Sequence, residues 1–212
     1  MKLLLVAGGA PSHWPNFSFD FDYIIGIDRG NLFLLRRGIV PDLAIGDFDS
    51  LNEDEKREVF NQVAEIQPSP AEKDDTDTQL ALVTAFERFP EADVTLIGAT
   101  GGRLDHLLAN LWLGVEPRFK PFLSQLTIAD KGNVVEYLLP GTHQIAKEPE
   151  MTYLAFCCLV PVDKLTLKNV KYELDQVDFL QPTSLASNEF LTGDATICFS
   201  GGLIAVIQSR DI

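Results

Sequence analysis

The stretch Asp42-Leu43-Ala44-Ile45-Gly46-Asp47-Phe48-Asp49-Ser50 decides how the rest of this chain is read. A short apolar run passes without a spacer into an acidic turn. Ser50 followed by Glu53 then has the spacing of a capping box, which predicts a helix through about Phe60. Strand, polar turn and helix in succession are the building unit of a mostly parallel sheet covered by helices.

The same unit recurs on either side. Lys2 to Ala7 reads as a buried strand ending in Gly8-Gly9-Ala10-Pro11, Tyr23 to Ile27 as one ending at Asp28-Arg29-Gly30, and Val94 to Ile97 as one leading into Gly98-Ala99-Thr100-Gly101-Gly102-Arg103. Leu82, Ala85, Phe86 and Phe89 form a helical stripe, and Leu104, Leu107, Leu108 and Leu111 form another. In open α/β sheets ligands collect outside the carboxyl ends of the strands, so all these polar turns are expected on one rim. Beyond about Leu126 the pattern changes to short strands split by Lys131-Gly132-Asn133, Pro140-Gly141 and Ser200-Gly201-Gly202, an all-β segment. The expected organisation is a three-layer α/β domain over residues 1–124 followed by a β-sandwich over 125–212, with the boundary near Ser124.

Composition narrows the function. The 212 residues are 46% apolar, enough for a real core. Lys and Arg total 17 against 31 Asp and Glu, a formal charge of −14 with no basic cluster, which argues against nucleic acid as a partner. No signal-peptide pattern or bilayer-length apolar run is present, so a cytoplasmic protein without a membrane segment is expected. Cys157, Cys158 and Cys198 read as reduced core residues, not as a disulfide framework.

Three segments carry the chemistry. In Asp47-Phe48-Asp49 an extended backbone would point both carboxylates to one side, toward a shared hard cation, while Phe48 turns inward. An Asx turn is the plain alternative. Lys73-Asp74-Asp75-Thr76-Asp77 precedes a helix, where capping and the macrodipole would account for one or two of its acids. Three acids together with the distant pair point to a site, with Asp74 in it, Asp77 in or beside it, and Asp75 expected to face solvent. Lys73 could contact phosphate or pair with its acidic neighbours. Gly101-Gly102-Arg103 opens a helix, bringing backbone N–H groups and a guanidinium to a place suited to phosphate. Arg103, His106 and Asn110 share one face at helical spacing, and Asp105 is expected to project elsewhere.

In this order, Asp28-Arg29-Gly30, Gly46 to Ser50, Lys73 to Asp77 and Gly98 to His106 resemble the ordered motifs of thiamine pyrophosphokinases, and Ser187-Asn188-Glu189-Phe190 resembles that family's thiamine-side motif. The resemblance implies an ATP-binding α/β domain followed by a β-sandwich. It also implies a homodimer with active sites between subunits, and transfer of the β,γ-diphosphate of Mg²⁺-ATP to thiamine, giving thiamine diphosphate and AMP. By motif matching, Asp47, Asp49 and Asp74 are expected to hold Mg²⁺, and Asp49, Asp74, Asp77, Arg103 and Asp105 to serve catalysis. Asp28, Arg29, Gly30, Asp47, Lys73, Gly101, Gly102, Arg103 and His106 are expected to bind ATP, and Asp105, Ser187, Asn188 and Glu189 to bind thiamine. Which of Asp49, Asp74 or Asp105 orients the hydroxyl is left open. So are a pterin-alcohol diphosphotransferase, a silent thiamine or nucleotide sensor, and a metal-dependent phosphatase.

Overall fold

A computed structural model describes residues 1–211 apart from 17, 71 and 73. The chain divides into two compact units, Met1–Asn110 with Ile128–Lys131, and Leu111–Thr127 with Gly132–Ile212.

In the first unit, β1 (Lys2–Val6), β2 (Tyr23–Ile27), β3 (Leu43–Gly46), β4 (Glu65–Pro68) and β5 (Asp93–Ile97) form a sheet of order β5-β1-β2-β3-β4. Each neighbouring pair is parallel, with Leu3 opposite both Tyr23 and Val94. Leu3, Leu4, Leu5 and Val6 are fully buried, as expected of a central strand covered on both faces. Helix α1 (Arg29–Leu35) sets Leu34 against Leu4, Val6, Ile24 and Trp14. Its Leu32 and Leu35 join Ala44 and Phe48, together with Val59 of α2 (Glu53–Gln62). Helix α3 (Asp77–Arg88) buries Ala81, Leu82, Ala85 and Phe86 and packs on β1, β2 and β3. Helix α4 (Leu104–Trp112) follows β5.

The cap of α2 lies two residues later than the sequence spacing predicts. Asn52 Oδ1 accepts from Glu55 N at 2.9 Å, and Glu55 Oε2 accepts from Asn52 N at 3.1 Å. Phe48, at φ 57°, bends the chain so that Leu51 enters the core and the helix can begin only after it. Helix α3 has its own capping box, Thr76 with Gln79, which fixes the start of the helix at Asp77.

After β6 (Leu126–Ala129), the second unit contains β7 (Asn133–Leu138), β8 (Gly141–Ile145), β9 (Tyr153–Cys158), β10 (Val162–Lys168), β11 (Leu174–Phe179), β12 (Thr183–Asn188), β13 (Ala195–Phe199) and β14 (Ile204–Ser209). These eight strands pair antiparallel in the orders β12-β9-β14-β7 and β11-β10-β13-β8. Leu154, Phe156 and Val206 from one sheet meet Leu165, Leu167, Ile197 and Phe199 from the other, the interdigitated core of a sandwich. The α/β part and the β-sandwich are as the sequence predicts, but β4, β11 and β12 were not foreseen. All three are edge strands, and their mostly exposed or half-buried side chains blur the apolar pattern. All three cysteines are free; Cys158 is buried, whereas Cys157 and Cys198 are only half-buried. No described helix is long and apolar enough to cross a membrane.

Candidate active site

The turns after β1, β2, β3 and β5 surround a cleft of about 490 Å³ in the first unit. Gly8 and Gly9 line it from β1, Asp28 and Arg29 from β2, Asp49 and Ser50 from β3, Gly98 to Thr100 from β5, and Thr76 to Thr78 from the start of α3. Close backbone packing makes two glycines obligatory here. A Cβ on Gly30 would lie 1.9 Å from the Val6 carbonyl oxygen, and one on Gly98, whose φ is 67°, would lie 2.4 Å from that of Ala7.

The acidic wall is assembled from three separate strand ends and helix starts. Carboxylate oxygens of Asp28, Asp47 and Asp77 lie within 4.8 Å of one another, all half-buried. Asp28 leaves β2 at φ 46°, ψ −120°, its N–H donating to the Ile45 carbonyl at 2.9 Å and its Oδ1 accepting from Phe48 N at 3.1 Å. Asp47 Oδ1 accepts from Asp49 N at 3.0 Å, and Asp77 Oδ1 accepts from Ser69 Oγ at 2.7 Å. Burial raises the Asp28 carboxyl from 3.8 to about 7, helped by the charges of Asp77 and Asp47 and opposed by the Phe48 N–H bond. Three hard oxygen donors gathered this closely fit a divalent cation, whose charge would offset both the burial and the mutual repulsion of the carboxylates.

The wall formed at the start of α4 is open to solvent. Arg103 and His106 line the cleft and are exposed, and a Cβ on Gly102 would meet nothing within 4 Å. Asn110, 7% exposed, donates from Nδ2 to the Ala99 carbonyl at 2.8 Å and so ties α4 to the glycine loop. Asp105 does not line the cleft, in keeping with its expected projection to another side, yet it is held by Arg103. Arg103 lies just outside α4, so its long side chain folds over the first turn onto this carboxylate, with Nε at 3.1 Å and Nη2 at 2.5 Å. The hydrogen bonds from Arg103 lower the Asp105 carboxyl to about 2.

The predicted acids therefore sort differently in space. Asp28, expected only at the nucleotide, joins Asp47 and Asp77. Asp49 is exposed and lines the cleft beside them, and Asp74 is exposed and outside the trio. Asp75, expected to face solvent, is half-buried just ahead of the Thr76 cap, whereas Asp74 is exposed. Lys73 lies outside the described residues. Arg29 donates to the Ser50 carbonyl and pairs with Glu55 at 3.5 Å, so it braces the acidic loop as well as lining the cleft. Gly30 packs beneath it and Gly101 is exposed at φ 73°. The position of Asp28 at a strand end on the same rim was the signal that could have placed it in the trio.

In the second unit Ser187 is exposed at φ 62°. Asn188 is 3% exposed, and its amide is committed to backbone: Oδ1 accepts from Tyr172 N at 2.9 Å and Glu189 N at 3.0 Å, and Nδ2 donates to Tyr172 O at 3.0 Å. Glu189 accepts from Lys171 Nζ at 2.6 Å.

Comparison with known proteins agrees with both halves of this picture. Residues 15–123 match the family described as "Thiamin pyrophosphokinase, catalytic domain", and residues 142–204 match "Thiamin pyrophosphokinase, vitamin B1 binding domain". A thiamine pyrophosphokinase of Bacillus subtilis is 34% identical over 215 residues, covering 98% of each chain. The crystal structure of a thiamin pyrophosphokinase family protein from Enterococcus faecalis superposes with a TM-score of 0.97 at 52% identity, covering 100% of both chains. That of the Bacillus subtilis enzyme gives a TM-score of 0.89 at 33% identity, again covering 100% of both. With both units matched in order, and relatives of this identity aligned along the whole chain, this chain belongs to the thiamine pyrophosphokinase family.

Proposed function

We propose that this chain transfers the β,γ-diphosphate of ATP to the hydroxyethyl oxygen of thiamine, with Mg²⁺ as the metal, releasing AMP and thiamine diphosphate. The observation that carries the mechanism is the convergence of Asp28, Asp47 and Asp77 in the cleft that Arg103 also lines. Attack of an alcohol on phosphorus needs in-line positioning and stabilisation of charge on the phosphoryl oxygens.

Asp28, Asp47 and Asp77 would hold the Mg²⁺ ion. When bound, that ion neutralises phosphate charge and polarises the transferred group. Arg103 swings from Asp105 to the phosphates, where its planar guanidinium can make two parallel hydrogen bonds. Gly102 leaves the backbone beside it open to the same oxygens, and His106 adds a polar edge. Asp49, exposed in the cleft with its N–H held by Asp47, is placed to orient the acceptor hydroxyl. Asp105, once released by Arg103, is left to face the cationic ring of thiamine. On the sandwich side Ser187 meets thiamine directly, while Asn188 acts through the backbone it holds.

The working form is proposed to be a cytoplasmic homodimer with active sites between subunits. Leu104 of α4 is 68% exposed and Leu107 36% exposed, an apolar face suited to a second subunit, and three free thiols suit a reducing compartment. The decisive experiment incubates the purified protein with Mg²⁺-ATP, with and without thiamine, and identifies products by mass. Equal amounts of AMP and thiamine diphosphate support the reading. ADP or inorganic phosphate would replace it with another transferase or a hydrolase, and binding without turnover would favour a sensor.

A further inference from the structure

The first turn of helix α1 carries an asparagine that helix formation does not require. Asn31 is 0% exposed, in a turn where alanine or leucine would form helix better and leave no polar group to satisfy. Its Nδ2 donates to the Asp28 carbonyl at 3.0 Å, and its own backbone N–H reaches the same oxygen at 3.2 Å. Among the described residues its Oδ1 has no hydrogen-bond partner. The strand beside it is shaped to admit this side chain, because a Cβ on Gly26 would lie 2.0 Å from Asn31 Oδ1. The residue so held, Asp28, has φ 46° and ψ −120°, a conformation that L-residues other than glycine seldom adopt. Gly46 makes the matching allowance on the far side, since its Cβ would lie 2.0 Å from Asp28 Oδ1.

A buried orphan oxygen and a strained backbone side by side are costs that packing alone does not repay. Both become intelligible if the arrangement aims one carboxylate. We propose that Asn31 is a positioning residue: its two donors grip the Asp28 carbonyl, hold the backbone in its left-handed turn, and so direct the Asp28 carboxylate toward those of Asp47 and Asp77. The inference rests on the reading that these three carboxylates hold a divalent cation, and it assigns Asn31 a role in setting that affinity.

The test is a Mn²⁺ titration of thermal stability without substrates, read beside the Mg²⁺ dependence of AMP formation. Asn31→Ala, which keeps the backbone donor and loses only the Nδ2 one, is expected to raise the half-saturating Mn²⁺ concentration by about tenfold, the scale of one lost hydrogen bond. The free Mg²⁺ needed for half-maximal rate should rise with it. Leu32→Ala, at an equally buried neighbour whose side chain belongs to the cluster of Ala44, Phe48 and Val59, should lower the melting temperature while leaving the Mn²⁺ midpoint in place. Asn31→Ser, a gentler change, should lie between wild type and Asn31→Ala, and it carries the test if the alanine variant does not fold. A midpoint unchanged within about twofold in the Asn31 variants, or moved equally by Leu32→Ala, overturns the assignment. A wild-type protein that Mn²⁺ does not stabilise overturns the cation reading instead.

Discussion

The two walls of the cleft are built on opposite plans. Asp28, Asp47 and Asp77 are half-buried and tied by hydrogen bonds to Phe48, Asp49 and Ser69, so the acidic wall is set before any ligand arrives. On the other side the Arg103 and Asp105 side chains are 73% and 63% exposed and hold mainly each other. A metal requires fixed oxygen donors at defined distances, whereas a long phosphate chain is met by a guanidinium that can leave one carboxylate for another anion. The fixed wall should therefore tolerate substitution least.

The largest effect is expected for Asp77→Asn, which should lower turnover by about 10²- to 10³-fold with the fold retained, since a fixed charge opposite the reacting phosphates is lost. Asp74→Asn should lose distinctly less, because Asp74 lies outside the trio. Steady-state AMP formation at saturating Mg²⁺ checks both, and equal losses would break the contrast. Arg103→Lys comes next: turnover should fall by roughly tenfold to a hundredfold, as the two-pronged phosphate contact becomes a single point charge. Its melting temperature should stay near wild type, because the Arg103–Asp105 pair is solvated.

A pH effect on stability distinguishes the walls without an activity assay. The Asp28 carboxyl is raised in the folded protein from 3.8 to about 7, so its contribution to stability is complete below 3.8 and is lost as pH rises through about 7. Metal-free protein should accordingly melt about 5 °C lower at pH 8 than at pH 5. Excess Mg²⁺ or the Asp28→Asn substitution should flatten that slope, as scanning calorimetry would reveal. The smallest effect belongs to Gly102→Ala. The added methyl meets open space, so stability should be unchanged and the Michaelis constant for ATP should move by no more than about threefold; a large loss would show that the open wall is tighter than its geometry indicates.

Much of this site was legible as chemistry before it was legible as geometry. Acidic and glycine-rich turns directly after apolar runs announced a rim at the carboxyl ends of parallel strands, and Arg103, His106 and Asn110 do share the cleft at their helical spacing. Local spacing served less well for the acids. It paired Asp47 with Asp49 because residues two apart share a side in extended chain, but Phe48 at φ 57° is not extended, and Asp49 bends back to give its N–H to Asp47. The α2 cap shows the same limit, since Ser50 with Glu53 and Asn52 with Glu55 both fit the pattern and only the burial of Leu51 selects the second. Edge strands β11 and β12 escaped notice because their exposed faces carry polar residues.

By itself the sequence determined the two-part α/β and β-sandwich architecture, the acidic and glycine-rich character of the rim, and the family. These follow from residue type and short-range periodicity, which need no knowledge of distant neighbours. Only the tertiary structure decided that Asp28 joins Asp47 and Asp77, that Asp105 holds Arg103, and that Asn31 lies buried behind the acidic wall. Those partners stand together because β2, β3 and α3 bring separate chain segments to one rim, and because a left-handed turn and a folded-back guanidinium depend on packing that no local pattern encodes.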